Sequence, residues 1–485
     1  MQFMESIWSK TCEIPRRHSL NHDVTTDVAI IGAGMAGILT AYHLQEQGIK
    51  TIVLDAERIA GGITKNTTAK ITAQHSIIYS KLIKNFGEES ARQYAQANTK
   101  AIRCYQEIIE KEKIDCSFEI KPAYVYSTED ILPLQEEAKA AKALGIDAEF
   151  TRKTTLPFHV RGALKFNNQA QFHPLEFIKS VSSNLTVYEH TRVIEVKEKE
   201  VITQHGAVKA NTIIFACHFP FLNVPGYYFA RMHQERSYVL ALENAGELDG
   251  MYIDMASDGL SFRTYRQYVL LGGSGHRTGK MPPYSCYQKL REEAVKLYPN
   301  AKEAANWSAQ DCASLDSIPY IGPFSSSTPN WLVATGFNKW GMTSSMAAAR
   351  ILTDMVLKKD VYYALVFSPQ RFQINAELKN FVTDSAQAVN GLLLKKMQPA
   401  KMDWEEIPLG HGGIVQYDGE KVGIYKNENG ECFVISAKCP HLGCQLEWNQ
   451  DELSWDCPCH GSRFDYKGNL IGGPAQENLL LPAED

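Results

Sequence analysis

The tightest constraint in the chain is a pair of short runs near its C-terminal end, Cys439-Pro440-His441-Leu442-Gly443-Cys444 and Cys457-Pro458-Cys459-His460-Gly461-Ser462. Each run offers one thiol and one imidazole that can act together, Cys439 with His441 and Cys457 with His460. A structural zinc site of two Cys and two His pairs C-x₂₋₄-C with H-x₃₋₅-H, and these runs do not have that form. Alternating thiolate and imidazole from two loops suits a [2Fe–2S] cluster with histidine on one iron. Five of the 11 cysteines fall in the last 54 residues. The other six are scattered, as small buried apolar residues are, so a secreted disulfide framework is excluded.

The two runs resemble the ligand loops of the Rieske domain, in particular the disulfide-containing type of the cytochrome bc complexes, over about residues 403–485. The resemblance implies that Cys439, His441, Cys457 and His460 hold the cluster and that Cys444 and Cys459 form a disulfide between the loops. It also implies that Gly473-Pro474-Ala475 shields the cluster. One departure bears on chemistry. High-potential members carry Ser and then Tyr two residues on, both donating to cluster sulfurs; here Ser462 is kept but Phe464 stands at the tyrosine position. Fewer donors stabilise the reduced cluster less, so a potential below the top of the ~−150 to +300 mV Rieske range is expected.

A second signal lies near the other end. Asp27-Val28-Ala29-Ile30-Ile31 reads as a buried strand, Gly32-Ala33-Gly34-Met35-Ala36-Gly37 as a turn, and Ile38 to Gln47 as a helix ended by Gly48. The strand Thr51–Leu54 follows and ends at Asp55, 18 positions after Gly37. G-x-G-x-x-G in that context is a dinucleotide fingerprint. Gly32 permits the tight turn, Gly34 lets backbone approach a pyrophosphate, and Gly37 lets helix pack on strand. The diphosphate sits on a helix N-terminus, and Asp55 accepts from the adenosine ribose.

The glycines do not decide between flavin and nicotinamide, and three further pieces carry a resemblance: Gly61-Gly62-Ile63-Thr64-Lys65-Asn66, Asp316 to Pro323, and Thr335-Gly336-Phe337-Asn338-Lys339-Trp340-Gly341-Met342-Thr343. Together with Phe367 to Phe372 they resemble the FAD-dependent amino-acid and amine oxidoreductases of the glycine-oxidase and D-amino-acid-oxidase type, over about residues 26–372. The resemblance implies that Thr64 and Asn66 line flavin and pyrophosphate, that Val193 holds adenine by its backbone, and that the Gly336–Gly341 loop closes over the isoalloxazine. It implies hydride removal from a carbon bearing an amine. Lys339, Arg263, Arg266 and Tyr252 are, by position, the candidates for the substrate-carboxylate clamp. Gly272 to Gly279 also follows a strand, but its spacing misses the nucleotide pattern and Lys280-Met281-Pro282-Pro283 is a poor helix start. It reads as a turn, which argues against a second, NAD(P)H site.

The expected architecture is an α/β FAD-binding (Rossmann-like) domain with an inserted α+β substrate domain, plus a small all-β Rieske domain. Residues 26–90, 156–226 and 311–366 form the FAD-binding domain, 91–155 and 227–310 the substrate domain, 367–402 a connecting helix, and 403–485 the Rieske domain. With 44% hydrophobic and 22% charged residues, a mainly disordered chain is excluded. No window approaches the ~18 uninterrupted apolar residues of a membrane span, and the opening residues lack the layout of a secretory signal. A soluble cytoplasmic protein is expected. Net charge is −5, giving no general reason to expect nucleic-acid binding. The segment 403–485 holds 15 acidic and 5 basic residues, a net of −10; such a segment serves plain solubility, docks on its own basic body or steers toward a basic partner.

A flavin takes two electrons at once and a [2Fe–2S] cluster passes one, so joining them makes a two-to-one electron converter. The leading expectation is oxidation of an amine or amino acid, with electrons leaving through the cluster to an unknown acceptor protein. Two alternatives are a reductase component feeding a partner oxygenase, and a redox sensor using the Cys444–Cys459 pair.

Overall fold

The structure is a computed structural model that describes residues 4–371, 403–417 and 419–479. The first strand, Val24–Ile31, is buried over its apolar half, Val28–Ile31. It pairs in parallel with Thr51–Leu54 on one side and Ala207–Phe215 on the other. A strand buried on both faces needs continuous apolar sequence, which is why Val28-Ala29-Ile30-Ile31 belongs at the centre of a parallel sheet. Trp331–Thr335, antiparallel Tyr320–Pro323 and short Val187–Tyr188 extend that sheet, and a hairpin of Val193–Lys197 with Glu200–Thr203 hangs from Ala207–Phe215. Helix Met35–Glu46 packs over the sheet beside helix Gly341–Val356. Gly37 makes the close approach possible: a Cβ there would sit 1.9 Å from the Gly32 carbonyl oxygen.

A second, nine-stranded sheet carries the inserted domain. Its path runs Lys302–Ser314, Met232–Glu243, Tyr268–Arg277, Ser261–Tyr265, Met251–Asp254, Glu119–Ser127, Gly162–Gln171 and Lys70–Ile71, with Ala148–Thr151 paired to Gly162–Gln171. The expected boundaries therefore move. Gly162–Gln171 and Lys70–Ile71, assigned above to the FAD-binding domain, pair in this sheet, and Lys302–Ser314 runs past residue 310. Contiguous segments do not reveal which sheet a strand joins, because remote pairing partners decide it. Composition rich in Lys, Glu and Ala makes about 90–155 read as helical, but the long helix starts at Tyr79 and ends at Glu112, broken at Gly87, and the strands Glu119–Ser127 and Ala148–Thr151 flank a second helix, Leu132–Ala143. The Gly272–Gly279 stretch is corrected as well: through Arg277 it is strand rather than turn, and only Thr278 to Lys280 turns away.

The C-terminal unit is all β. Three antiparallel strands, His411–Tyr417, Glu420–Lys426 and Cys432–Ser436, accompany four more, Glu447–Asn449, Ser454–Asp456, Arg463–Asp465 and Leu470–Gly472. Tyr425, Ile435, Leu446, Trp455 and Phe464 form its core around four cysteines. Most of the connecting helix expected over 367–402 lies outside the described residues. At its start Phe367 closes a 3₁₀ turn and Arg371 pairs with Asp316 at 2.7 Å. Among the described residues, no helix is long and apolar enough to cross a membrane.

Candidate functional site

A cleft of about 360 Å³ opens at the C-terminal ends of the parallel strands and is lined by Gly32, Gly34, Asp55, Thr64, Val193 and Gly341. The start of helix Met35–Glu46 faces it, with the Met35 N–H donating to Thr64 Oγ1 at 3.1 Å. Asp55 is oriented from two sides, accepting from the Ala33 N–H at 2.7 Å and the Glu57 N–H at 2.8 Å. His218 lines the cleft with Nε2 buried and without a partner. Free helix N–H groups, a hydroxyl and that orphaned nitrogen fit the phosphates and polar edge of a dinucleotide. Asn66 stands apart from this lining. It borders the neighbouring cavity, and its carbonyl accepts from Trp307 Nε1–H at 2.9 Å. Gly336 reaches neither space; it packs on Met232 and Tyr320 and turns the chain so that Asn338–Met342 enters both.

The neighbouring cavity, about 610 Å³, shares Thr67, Asp311, Asn338, Lys339, Gly341 and Met342 with the cleft. On the cavity side of that wall Glu235 pairs with the shared Lys339 at 3.2 Å and with His233 at 3.3 Å. Glu235 and Asp311 are register partners on adjacent antiparallel strands, so both carboxyls face the same side. Their ionisation is pushed apart. The His233 hydrogen bond, working against burial and with help from Lys339, holds Glu235 down at about 2. Burial pushes Asp311 up to about 7 against the pull of Lys339. Lys70 enters the cavity from the inserted sheet, donating to Ser261 Oγ at 2.7 Å and Thr68 Oγ1 at 3.1 Å. Burial, with Arg263 nearby, lowers Lys70 to about 7. His75 stacks on Trp340 at 4.7 Å, and burial keeps it neutral, at about 3.

Of the four clamp candidates, only Lys339 lines the cavity. Arg263 is fully buried elsewhere, its guanidinium donating to the Ala69 and Thr68 carbonyls at 2.7 and 2.8 Å beneath Trp8. Arg266 is exposed and pairs with Glu176 at 3.4 Å. Tyr252 stacks on Tyr124 at 4.5 Å and bonds Thr155 and Asp249. None of these three lines the cavity: Arg263 and Tyr252 are occupied inside the fold and Arg266 at its surface, so all three are corrected as clamp candidates. Lys70, His75, Glu235 and Asp311 were missed; the only available signal was strand alternation, which carries no information about which cavity a face lines.

In the C-terminal unit the two ligand runs come together. Cys439, Cys457 and His460 are buried, His441 nearly so, and the two imidazoles stand 4.9 Å apart at 90°. Cys444 and Cys459 form the disulfide. His441 Nδ1 and His460 Nδ1 are both buried with no partner. Two thiolates and two orphaned imidazole nitrogens are the donor set a histidine-ligated [2Fe–2S] cluster requires. Ser462 Oγ accepts from the Ala475 N–H at 3.0 Å, and Phe464 is fully buried.

This unit docks on the body. Glu452 is buried between Arg236 of the inserted sheet and Arg463 of its own unit, the latter at 2.5 Å. Burial works to raise the Glu452 carboxyl, but the two guanidinium groups hold it at about 2. Asp451 accepts from Ser285 Oγ at 2.5 Å and from the Cys286 N–H at 2.7 Å. Gly279, at φ +72°, lets the ligand loop in: a Cβ there would meet Pro458 N at 2.4 Å. Ile471, Gly473, Ala475 and Gln476 reach far enough to line the nucleotide cleft.

Comparison with known proteins agrees with this division. Residues 27–355 match the family model described as FAD dependent oxidoreductase, and residues 400–482 match the one described as Rieske [2Fe-2S] domain. The chain is 37% identical, over 98% of its length and 97% of the other, to the Rieske 2Fe-2S iron-sulfur protein YhfW of Bacillus subtilis (strain 168). Over 14% of this chain and 38% of the relative, it is 39% identical to the cytochrome b6-f complex iron-sulfur subunit of Chlorobaculum thiosulfatiphilum. Glycine oxidase from Geobacillus kaustophilus superposes with a TM-score of 0.61 at 16% identity, covering 72% of this chain and 99% of that one.

Proposed function

From the premise that this chain belongs to the FAD dependent oxidoreductase family and carries a C-terminal Rieske [2Fe-2S] domain, we propose that it oxidises an amine or amino acid and delivers the electrons singly to an acceptor protein. When bound, FAD accepts a hydride and the [2Fe–2S] cluster hands electrons on one at a time. The observation that carries the reading is the carboxyl pair in the cavity, Glu235 with Asp311, of which Asp311 also lines the cleft. An amine arrives as an ammonium ion, and hydride loss from its carbon needs the nitrogen lone pair free. Glu235, ionised throughout the physiological range, attracts the ammonium; Asp311, poised near neutrality, takes its proton. Lys70, its amine held by the Ser261 and Thr68 hydroxyls, receives a substrate carboxylate, whose negative charge favours the protonated form of this lysine. His75 and Trp340 form a flat wall that orients the substrate and excludes water.

The likeness to glycine oxidase supports an amino acid or simple amine as substrate. The cysteines outside the Rieske domain are unpaired, which suits a reducing cytoplasm. The test is anaerobic absorption and EPR with a panel of amines and amino acids, with NADPH in a parallel lane. Flavin bleaching followed by a rhombic cluster signal with one amine is expected. Reduction by NADPH alone would overturn the reading in favour of a reductase.

A further inference from the structure

Both cluster histidines touch the segment that leaves the nucleotide sheet. His441 Nε2–H donates to Asn223 Oδ1 at 2.8 Å. The Phe229 ring meets both imidazoles edge-on, 5.9 Å from His441 and 5.6 Å from His460. Asn223 and Phe229 lie on one loop, which leaves the nucleotide sheet after Phe215. Before reaching Asn223 that loop lines the cleft with Cys217, His218, Phe219 and Phe221. From the other side Gln234 donates to the His460 carbonyl at 2.8 Å and the Gly473 carbonyl at 3.0 Å, and Gln310 to the Gly461 carbonyl at 2.8 Å. One continuous stretch of backbone thus touches the cleft at one end and the histidine ligands at the other, while two buried glutamines hold the ligand loops against it.

We propose that residues 217–229 are the electron bridge from flavin to cluster, with Asn223 the positioning residue at the cluster end. The inference rests on the reading that reduced flavin is the cluster's electron donor. A ligand histidine is oriented by the partner of its second nitrogen, and here that partner comes from the flavin domain. Bonds change only at the substrate, where a carbon–hydrogen and a nitrogen–hydrogen bond become a C=N bond, releasing two electrons and two protons. The cluster holds one electron at a time, so each is passed across the bridge separately and two equivalents of an external one-electron acceptor complete the turnover.

The experiment uses the anaerobic holoprotein with the flavin photoreduced by a light pulse in the presence of EDTA, which is the sacrificial electron donor, so that no substrate is needed. Flavin bleaching and the cluster's absorption and EPR signal are followed in time. Asn223→Ala is expected to slow flavin-to-cluster transfer by about tenfold. Iron and flavin contents stay at wild-type levels, and the g-values of the dithionite-reduced cluster shift as His441 loses its acceptor. Asn223→Asp, which keeps an acceptor oxygen at the same reach, restores the rate. Ser285→Ala removes a docking bond to Asp451 away from the bridge and leaves the rate unchanged. Wild-type transfer in Asn223→Ala, or equal slowing in Ser285→Ala, would overturn the bridge. If light-reduced flavin passes electrons through Asn223 but no amine bleaches it, the substrate reading fails and the bridge stands.

Discussion

The flavin cleft and the cluster site both hold a redox group, and they are built from opposite materials. The cleft is made of glycines and backbone N–H groups around space, and its polar side chains are mostly occupied already: Thr64 by Met35, Asp55 by Ala33 and Glu57. The cluster site is made of side-chain donor atoms inside an apolar core, and two of them, the Nδ1 atoms of His441 and His460, have no hydrogen-bond partner among the described residues. Each buried orphan costs about 1–3 kcal/mol. The cleft is a shape the fold makes for its own reasons; the cluster site is a shape that its cofactor completes.

The sharpest way to break that comparison is to remove one material from each. His460→Ala is expected to reduce iron and the EPR signal to near zero and to lower the melting temperature of the C-terminal unit, while flavin content is retained. Gly37→Ala, by pressing a methyl group onto the Gly32 carbonyl, is expected to empty the flavin cleft and leave the cluster signal. Loss of both cofactors in either variant would show the sites to be one cooperative unit.

Glu452→Gln comes next, because it leaves Arg236 and Arg463 buried and facing each other. A loss of about 3–5 kcal/mol is expected in denaturant titration, with earlier proteolysis of the C-terminal unit. A change under 1 kcal/mol would mean that the triad does not hold the domains together. A smaller effect concerns the cavity. If Asp311 accepts the substrate proton, its carboxylate is the active form, so kcat/KM rises as pH increases through about 7. Between pH 6 and 8 the rise is about tenfold, and Asp311→Asn lowers activity and flattens the profile. The smallest effect is expected from Phe464→Tyr, which adds a hydroxyl in the cluster core. Protein-film voltammetry should record a raised potential, and an unchanged one removes the hydroxyl account.

Both cofactor sites were legible because their chemistry is written in short runs. The βαβ turn needs Gly32, Gly34 and Gly37 within six residues, and the cluster needs Cys439 with His441 and Cys457 with His460 on two tight loops. The substrate cavity was not legible. Three of its four named candidates, Arg263, Arg266 and Tyr252, do not line it. The residues that do line it come from Lys70, Glu235 and Asp311, far apart in the chain and joined only by strand pairing. The Gly272–Gly279 stretch shows the same limit. Judged as a nucleotide turn it fails, and its use became visible only when Gly279 was found against Pro458.

The sequence by itself determined which redox groups belong to this protein, since a pyrophosphate cradle and a cluster ligand loop each close within a few residues. Only the tertiary structure decided which charges face the substrate, and that the cluster histidines look inward toward Asn223 and Phe229. The physical reason is distance along the chain. Local motifs are set by backbone geometry over one turn, whereas a cavity wall or a docked domain is set by which remote strands find each other, and the burial of Glu452 between Arg236 and Arg463 exists only once they have.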